Sequence, residues 1–201
     1  MSWIKTRDRK AANGRLSAIY DRVAGQAGQV DNILAAHSLR PHTLEGHMAL
    51  YKAVLHHYGN ALDKTYLEAI GIWVSSLNRC AYCVEHHFAG LKRLLADDER
   101  AAQIRAAIDS GIPERAFSGR ELAGLRYAEL LTRAPHSLTE QHVIALREAG
   151  FGDGEILEIN QVTAYFAYAN RTVLGLGVNH EGEALGLSPN ISDDPDNWSH
   201  D

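Results

Sequence analysis

The chain has 201 residues, 45% of them hydrophobic and 22% charged, with a formal net charge of −5. That composition is ordinary for a globular protein, and the acidic balance leaves no cationic surplus to neutralise nucleic-acid phosphates or anionic lipid. The basic start, MSWIKTRDRKAANGR, is followed by no signal-type apolar stretch, and no run approaches the roughly 18 apolar residues of a spanning helix, so the expectations are no nucleic acid, no membrane and a cytoplasmic location.

Hydrophobic periodicity predicts helices near 15–25, 31–38, 42–58 and 63–77, then one from Cys80 to about Leu95. Asp97 is placed to cap a helix that stops near Gly111. Ser118-Gly-Arg-Glu121 and Ser137-Leu-Thr-Glu140 both fit the capping box, opening helices near 119–133 and 138–149. Pro113 and Pro135 fall between helices, and Asp153 can cap a long apolar helix, EILEINQVTAYFAYANRTVLGLGV, running to about residue 178. Alternating strand patterns with Asn-Gly or Asp-Gly turns are missing, so the fold class is all-α. One domain is expected over 1–185, followed by a polar tail over 186–201 that is disordered or lies on a neighbouring subunit. So apolar a final helix also predicts a homo-oligomer, because a monomer would expose a large patch.

The two cysteines stand three residues apart, too short a loop to staple a fold and a spacing suited to redox or metal chemistry. On a helix, Cys80, Cys83 and His87 fall at i, i+3 and i+7, sharing one face with Val84 and Leu91. The preceding helix, TYLEAIGIWVSSLN, is apolar on nearly every side yet carries Glu68, a carboxylate that is costly to bury without a partner. If the two helices form an antiparallel hairpin about Leu77-Asn78, Glu68 and His87 lie at equal height and can meet. Cys80 then sits at the helix N-terminus and Cys83 one turn in, where the macrodipole and free amides favour a thiolate. The chemistry this allows is proton transfer from Cys83 to His87, with Glu68 orienting the imidazole and Cys80 resolving a sulfenic acid as a disulfide.

Other readings stay open. Glu68 and His87 could form a purely structural pair, and Cys80, Cys83, His86 and His87 could hold zinc, although closed zinc sites usually draw their second ligand pair from a more distant segment. His86 faces another side with Tyr82 and Ala89 and reads as a surface or interface histidine. His37, His42, His47, His56 and His57 show no metalloprotease spacing, and Tyr165, Phe166 and Tyr168 read as core or interface packing. No glycine-rich nucleotide loop follows a strand, so neither cofactor nor metal is expected.

Glu68, Cys80, Cys83 and His87 form the pattern E-x11-C-x2-C-x3-H, which resembles the AhpD-like (alkyl hydroperoxidase D) branch of the carboxymuconolactone decarboxylase superfamily. SSLNRCAYCVEHH and AYFAYANRTVLGLGV are similar to its peroxidase-related subgroup, so the resemblance spans roughly residues 40–180. It implies an AhpD-like helical fold, trimers or hexamers, and a peroxidase in which Cys83 attacks a hydroperoxide, Cys80 resolves, and Glu68 and His87 relay protons. It also implies a lipoyl or other dithiol reductant. One departure is Tyr82, which stands where the resembled proteins carry a relay histidine. The rivals are a decarboxylase-like small-molecule enzyme that needs no cysteines and a non-enzymatic redox or metal-binding module.

Overall fold

The computed structural model describes residues 2–25, 28–190, 194 and 197–199. Among them lie nine α-helices and no strand: α1 Gly14–Val23, α2 Asn32–Ala36, α3 Pro41–Leu55, α4 Lys64–Leu77, α5 Ala81–Leu95, α6 Asp98–Asp109, α7 Gly119–Arg133, α8 Glu140–Glu148 and α9 Asp153–Leu176. The periodic segments of the sequence are these helices to within a few residues, because an apolar stripe must be covered whatever covers it.

The helix starts differ in detail. Asp97 caps α6 as expected, accepting the Arg100 amide at 2.9 Å. Ser118 is the N-cap of α7, but its hydroxyl makes no capping bond. Ser137 belongs to a short 3-10 turn, Pro135–Ser137, and α8 is opened instead by Thr139, whose amide donates to His142 Nδ1 at 3.0 Å. At α9 the cap is Gly152; Asp153 is already helical, and Glu155 accepts the Gly152 amide at 2.8 Å.

α4 is the centre of the molecule, buried from Tyr66 to Ser75 and covered by α5, α7 and α9. Gly71 lets α9 approach: a β-carbon there would stand 2.2 Å from the Phe166 ring. Phe166, Ile159 and Val162 are fully buried against this crossing, and each such side chain contributes roughly 1.5–3 kcal/mol by leaving water. The apolar residues of α9 are therefore largely covered within the chain; Leu157, Tyr168 and Leu174 are its exposed large hydrophobics. An oligomer then rests on the family resemblance rather than on an uncovered final helix.

α4 and α5 make the tight antiparallel hairpin. Asn78 ends α4, Arg79 turns the chain in the left-handed region (φ 57°), and Cys80 is the N-cap of α5. The Cys80 amide donates to Ser75 O at 2.9 Å, which ties the turn down.

The described part of the C-terminal stretch departs from the expected tail. Trp198 is buried with Leu16, Ile19 and Leu44 of α1 and α3, and the Arg22 guanidinium lies 3.7 Å above its ring. Lys52, fully buried on α3, donates to Asn190 O and to Asn190 Oδ1 (3.0 Å). A single tryptophan carries enough apolar area to dock a segment whose average composition is polar.

Candidate active site

The hairpin brings Glu68 and His87 into contact, with His87 Nδ1 2.7 Å from Glu68 Oε2. The carboxylate side chain is 3% exposed and the imidazole 14%. A carboxylate oxygen only accepts, so Nδ1 carries the hydrogen and Nε2 is the nitrogen not engaged by the carboxylate. The Phe166 ring stands edge-on to the imidazole, centroids 4.6 Å apart, and holds its plane.

The two sulfurs lie 2.8 Å apart, both in a buried setting. Their acidities split. Cys80 is drawn below the ordinary thiol range, first by the Cys83 S–H and then, against burial, by the Cys83 backbone N–H at the helix start. Cys83 is held well above that range, first because its S–H donates to Cys80 and then by burial and the Cys80 charge, with Asn170 working the other way. The contact between the sulfurs, helped by the helix start, therefore favours the thiolate on Cys80, whereas the sequence suggested Cys83. Access runs in the opposite order: Cys83 lines a cavity together with Glu68, His86 and His87, and Cys80 does not.

Asn170, fully buried on α9, is a site residue that the sequence reading passed over. Its Nδ2 donates to Ser75 Oγ at 3.0 Å and its Oδ1 accepts from Asn78 Nδ2 at 2.9 Å, so the side chain beside Cys83 is locked by the hairpin turn. A lone amide on the apolar face shared by Phe166 and Val173 poses the same question as Glu68 on α4, and that was the available signal.

His86 is buried rather than on the surface. Its Nε2 lies 2.8 Å from Glu183 Oε1, whose other oxygen accepts the Asn32 amide at 2.5 Å. Tyr82, in the relay position, packs its ring 4.4 Å from that of His86, and its hydroxyl accepts the Ile33 amide at 3.2 Å. Burial, then the Glu183 and Asp31 charges, push its phenol far above the usual range. His86 and His87 thus turn to different carboxylates, and among the described residues no group of three or more histidine, cysteine or acidic side chains is placed to hold a metal ion. His47, read from the sequence as one of several scattered histidines, lines the cavity, as does Tyr165.

Residues 41–130 match the sequence model of the carboxymuconolactone decarboxylase family. In structure the chain is similar to an alkylhydroperoxidase AhpD core, an uncharacterized peroxidase-related protein from Ralstonia eutropha JMP134, with TM-score 0.78, 26% identity and coverage of 90% of this chain and 93% of that one. It is also similar to an uncharacterized peroxidase-related protein from Silicibacter sp. TM1040, with TM-score 0.69, 26% identity and coverage of 83% and 87%. The debrominase Bmp8 shares the fold at 18% identity and TM-score 0.69, covering 88% of this chain and 91% of that one. No curated protein matches the chain in sequence. Residues 41–130 thus carry the carboxymuconolactone decarboxylase family match, and the fold around them is similar to that of AhpD-like proteins. No helix among the described residues is long and apolar enough to cross a membrane.

Proposed function

We propose that the protein is a dithiol peroxidase that reduces hydroperoxides through Cys80 and Cys83. The observation that carries this reading is two sulfurs 2.8 Å apart beside a carboxylate-anchored histidine, with one sulfur on a cavity wall. Within the pair Cys80 is the more acidic, and passing the Cys83 proton to a deprotonated Cys80 leaves the thiolate on Cys83, where a peroxide has access. His87 Nε2 takes or returns the proton that the cycle exchanges, and Glu68 stabilises the imidazolium.

The Cys83 thiolate attacks one peroxide oxygen; an S–O bond forms, the O–O bond breaks, and the leaving alkoxide takes a proton to become the alcohol. The Cys80 sulfur then displaces hydroxide from the Cys83 sulfenic acid, releasing water and forming the disulfide. Two thiols are oxidised for each hydroperoxide reduced, and an external dithiol, of lipoyl or similar type, restores them. The resemblance adds a trimeric or hexameric assembly, which light scattering tests. The catalytic reading is tested by titrating the reduced protein with hydroperoxide: two thiols lost per equivalent and full recovery on adding dithiol support it, and unchanged thiols refute it.

A further inference from the structure

The cavity beside Cys83 is closed on one side by a part of the chain that the family match, residues 41–130, does not reach. Gly186, Leu187, Ser188 and Pro189 form that wall. The strap is seated closely: Gly186 has φ +80°, and a β-carbon there would lie 3.0 Å from the Gly90 amide nitrogen and 2.9 Å from Ala89 Cβ, so only glycine lets the backbone rest on α5. Before the wall, Glu183 is bonded to His86 and to the Asn32 amide; after it, Asn190 receives Lys52, and Trp198 is buried under Arg22. A segment clamped on both sides of a cavity is a fixed boundary of that cavity.

The space open to a water-sized molecule is about 50 Å³. One water requires roughly 10–15 Å³, and an apolar cavity that accepts benzene is about 150 Å³, so the space suits a molecule of only a few heavy atoms. Carboxylates of Asp31 and Glu68 on the wall disfavour an anion. At the far side His47 is buried, and its Nδ1 has no hydrogen-bond partner. Burial, helped by His37, lowers its pKa to about 3, so the ring is neutral and offers one donor and one acceptor. A neutral imidazole on a cavity wall is a polar group among apolar neighbours that can hydrogen-bond a polar occupant.

Resting on the peroxidase reading, we infer that this is a size-limited substrate site: it takes small uncharged hydroperoxides, such as hydrogen peroxide or a short alkyl hydroperoxide, with His47 positioning the polar end and Leu187 of the strap excluding bulky groups.

The test compares hydrogen peroxide with cumyl hydroperoxide as oxidants of the reduced protein, each rate divided by that of free dithiothreitol. The parent should favour hydrogen peroxide by about tenfold or more, the scale on which a packed pocket rejects extra carbon. Leu187→Ala, or Leu187→Val as a milder change, should close most of that gap by speeding cumyl hydroperoxide alone. His47→Phe should slow hydrogen peroxide by about tenfold for the lost hydrogen bond without lowering the melting temperature, and His47→Gln should recover part of the rate. Equal rates for the two oxidants in the parent, or no response to these substitutions, would overturn the assignment. A second arm needs no thiol chemistry: 2-phenyl-2-propanol, followed by NMR, should fail to bind the parent and bind Leu187→Ala saturably. Binding to the parent, or to neither protein, sinks the size limit, whereas unreactive thiols with this binding pattern intact would remove only the peroxidase reading.

Discussion

Two histidines on the wall of one cavity each pair with a carboxylate, yet the pairs belong to different kinds of structure. Glu68–His87 is built inside the α4–α5 hairpin from residues 19 apart, while His86–Glu183 joins α5 to the C-terminal strap across 97 residues. The first is packed against the apolar centre of the fold, its carboxylate 3% exposed and its imidazole 14%. The second uses its carboxylate on both a histidine and a backbone amide, which is the arrangement of a latch. Adjacent histidines on one helix therefore differ in the element that supplies the partner, a neighbouring helix for His87 and the C-terminal strap for His86.

The largest expected effect tests that division. Glu68→Gln and His87→Gln should each slow thiol oxidation by peroxide by roughly 10- to 1000-fold, the range for losing a proton-transfer group, without unfolding the protein. His86→Gln and Glu183→Gln should instead leave the hydrogen peroxide rate within about threefold and lower the melting temperature, as loss of a structural bond does. Stopped-flow thiol assays on the four variants check this; equal losses in both pairs would erase the distinction.

Next come the packing sites of the two regions. Gly71→Ala forces a methyl into the Phe166 ring, and overpacking of this kind costs about 1–3 kcal/mol, felt by the whole protein as a lower denaturation midpoint. Trp198→Ala removes a comparable or larger amount of buried apolar contact, yet hydrogen exchange should show the loss confined to the strap and α1. Global loosening after Trp198→Ala would mean that the strap is part of the core.

The difference between the regions also governs how much the sequence disclosed. Glu68 was legible because a charge on an otherwise apolar helix demands a partner and because helix rise across a short turn states which residue stands opposite. The all-α class and most helix spans were legible for a related reason: each stripe records its own burial. Trp198, Lys52 and Glu183 gave no such signal, since their partners lie far along the chain and nothing periodic links them. Asn170 was legible in principle, by the argument that found Glu68. The helix starts at Ser137 and Ser118 show the limit of short motifs: Thr139 and His142 provide the same backbone satisfaction two residues later, and the motif alone does not say which start is used. The order of acidity in the cysteine pair required the sulfur–sulfur contact itself.

A smaller effect concerns pH. His47 titrates near 6.5 when unfolded and is pushed down to about 3 by burial, so between those values the unfolded chain binds a proton that the folded one does not. Stability contributed by the neutral ring is present above pH 6.5 and is lost on acidification towards pH 3, at up to about 1.4 kcal/mol per pH unit. His47→Phe should flatten the acid limb of a stability–pH curve by one proton; parallel curves would place the burial cost elsewhere.

The division of labour between the two sulfurs is the central claim, and mass spectrometry after one equivalent of hydrogen peroxide tests it most directly. The parent should carry a Cys80–Cys83 disulfide that a dithiol reopens. Cys80→Ser should stop at a sulfenic acid on Cys83, trapped by dimedone, and Cys83→Ser should leave Cys80 reduced. Dimedone on Cys80 in the Cys83→Ser protein, with Cys83 untouched in Cys80→Ser, would reverse the roles and make the more acidic sulfur the attacker.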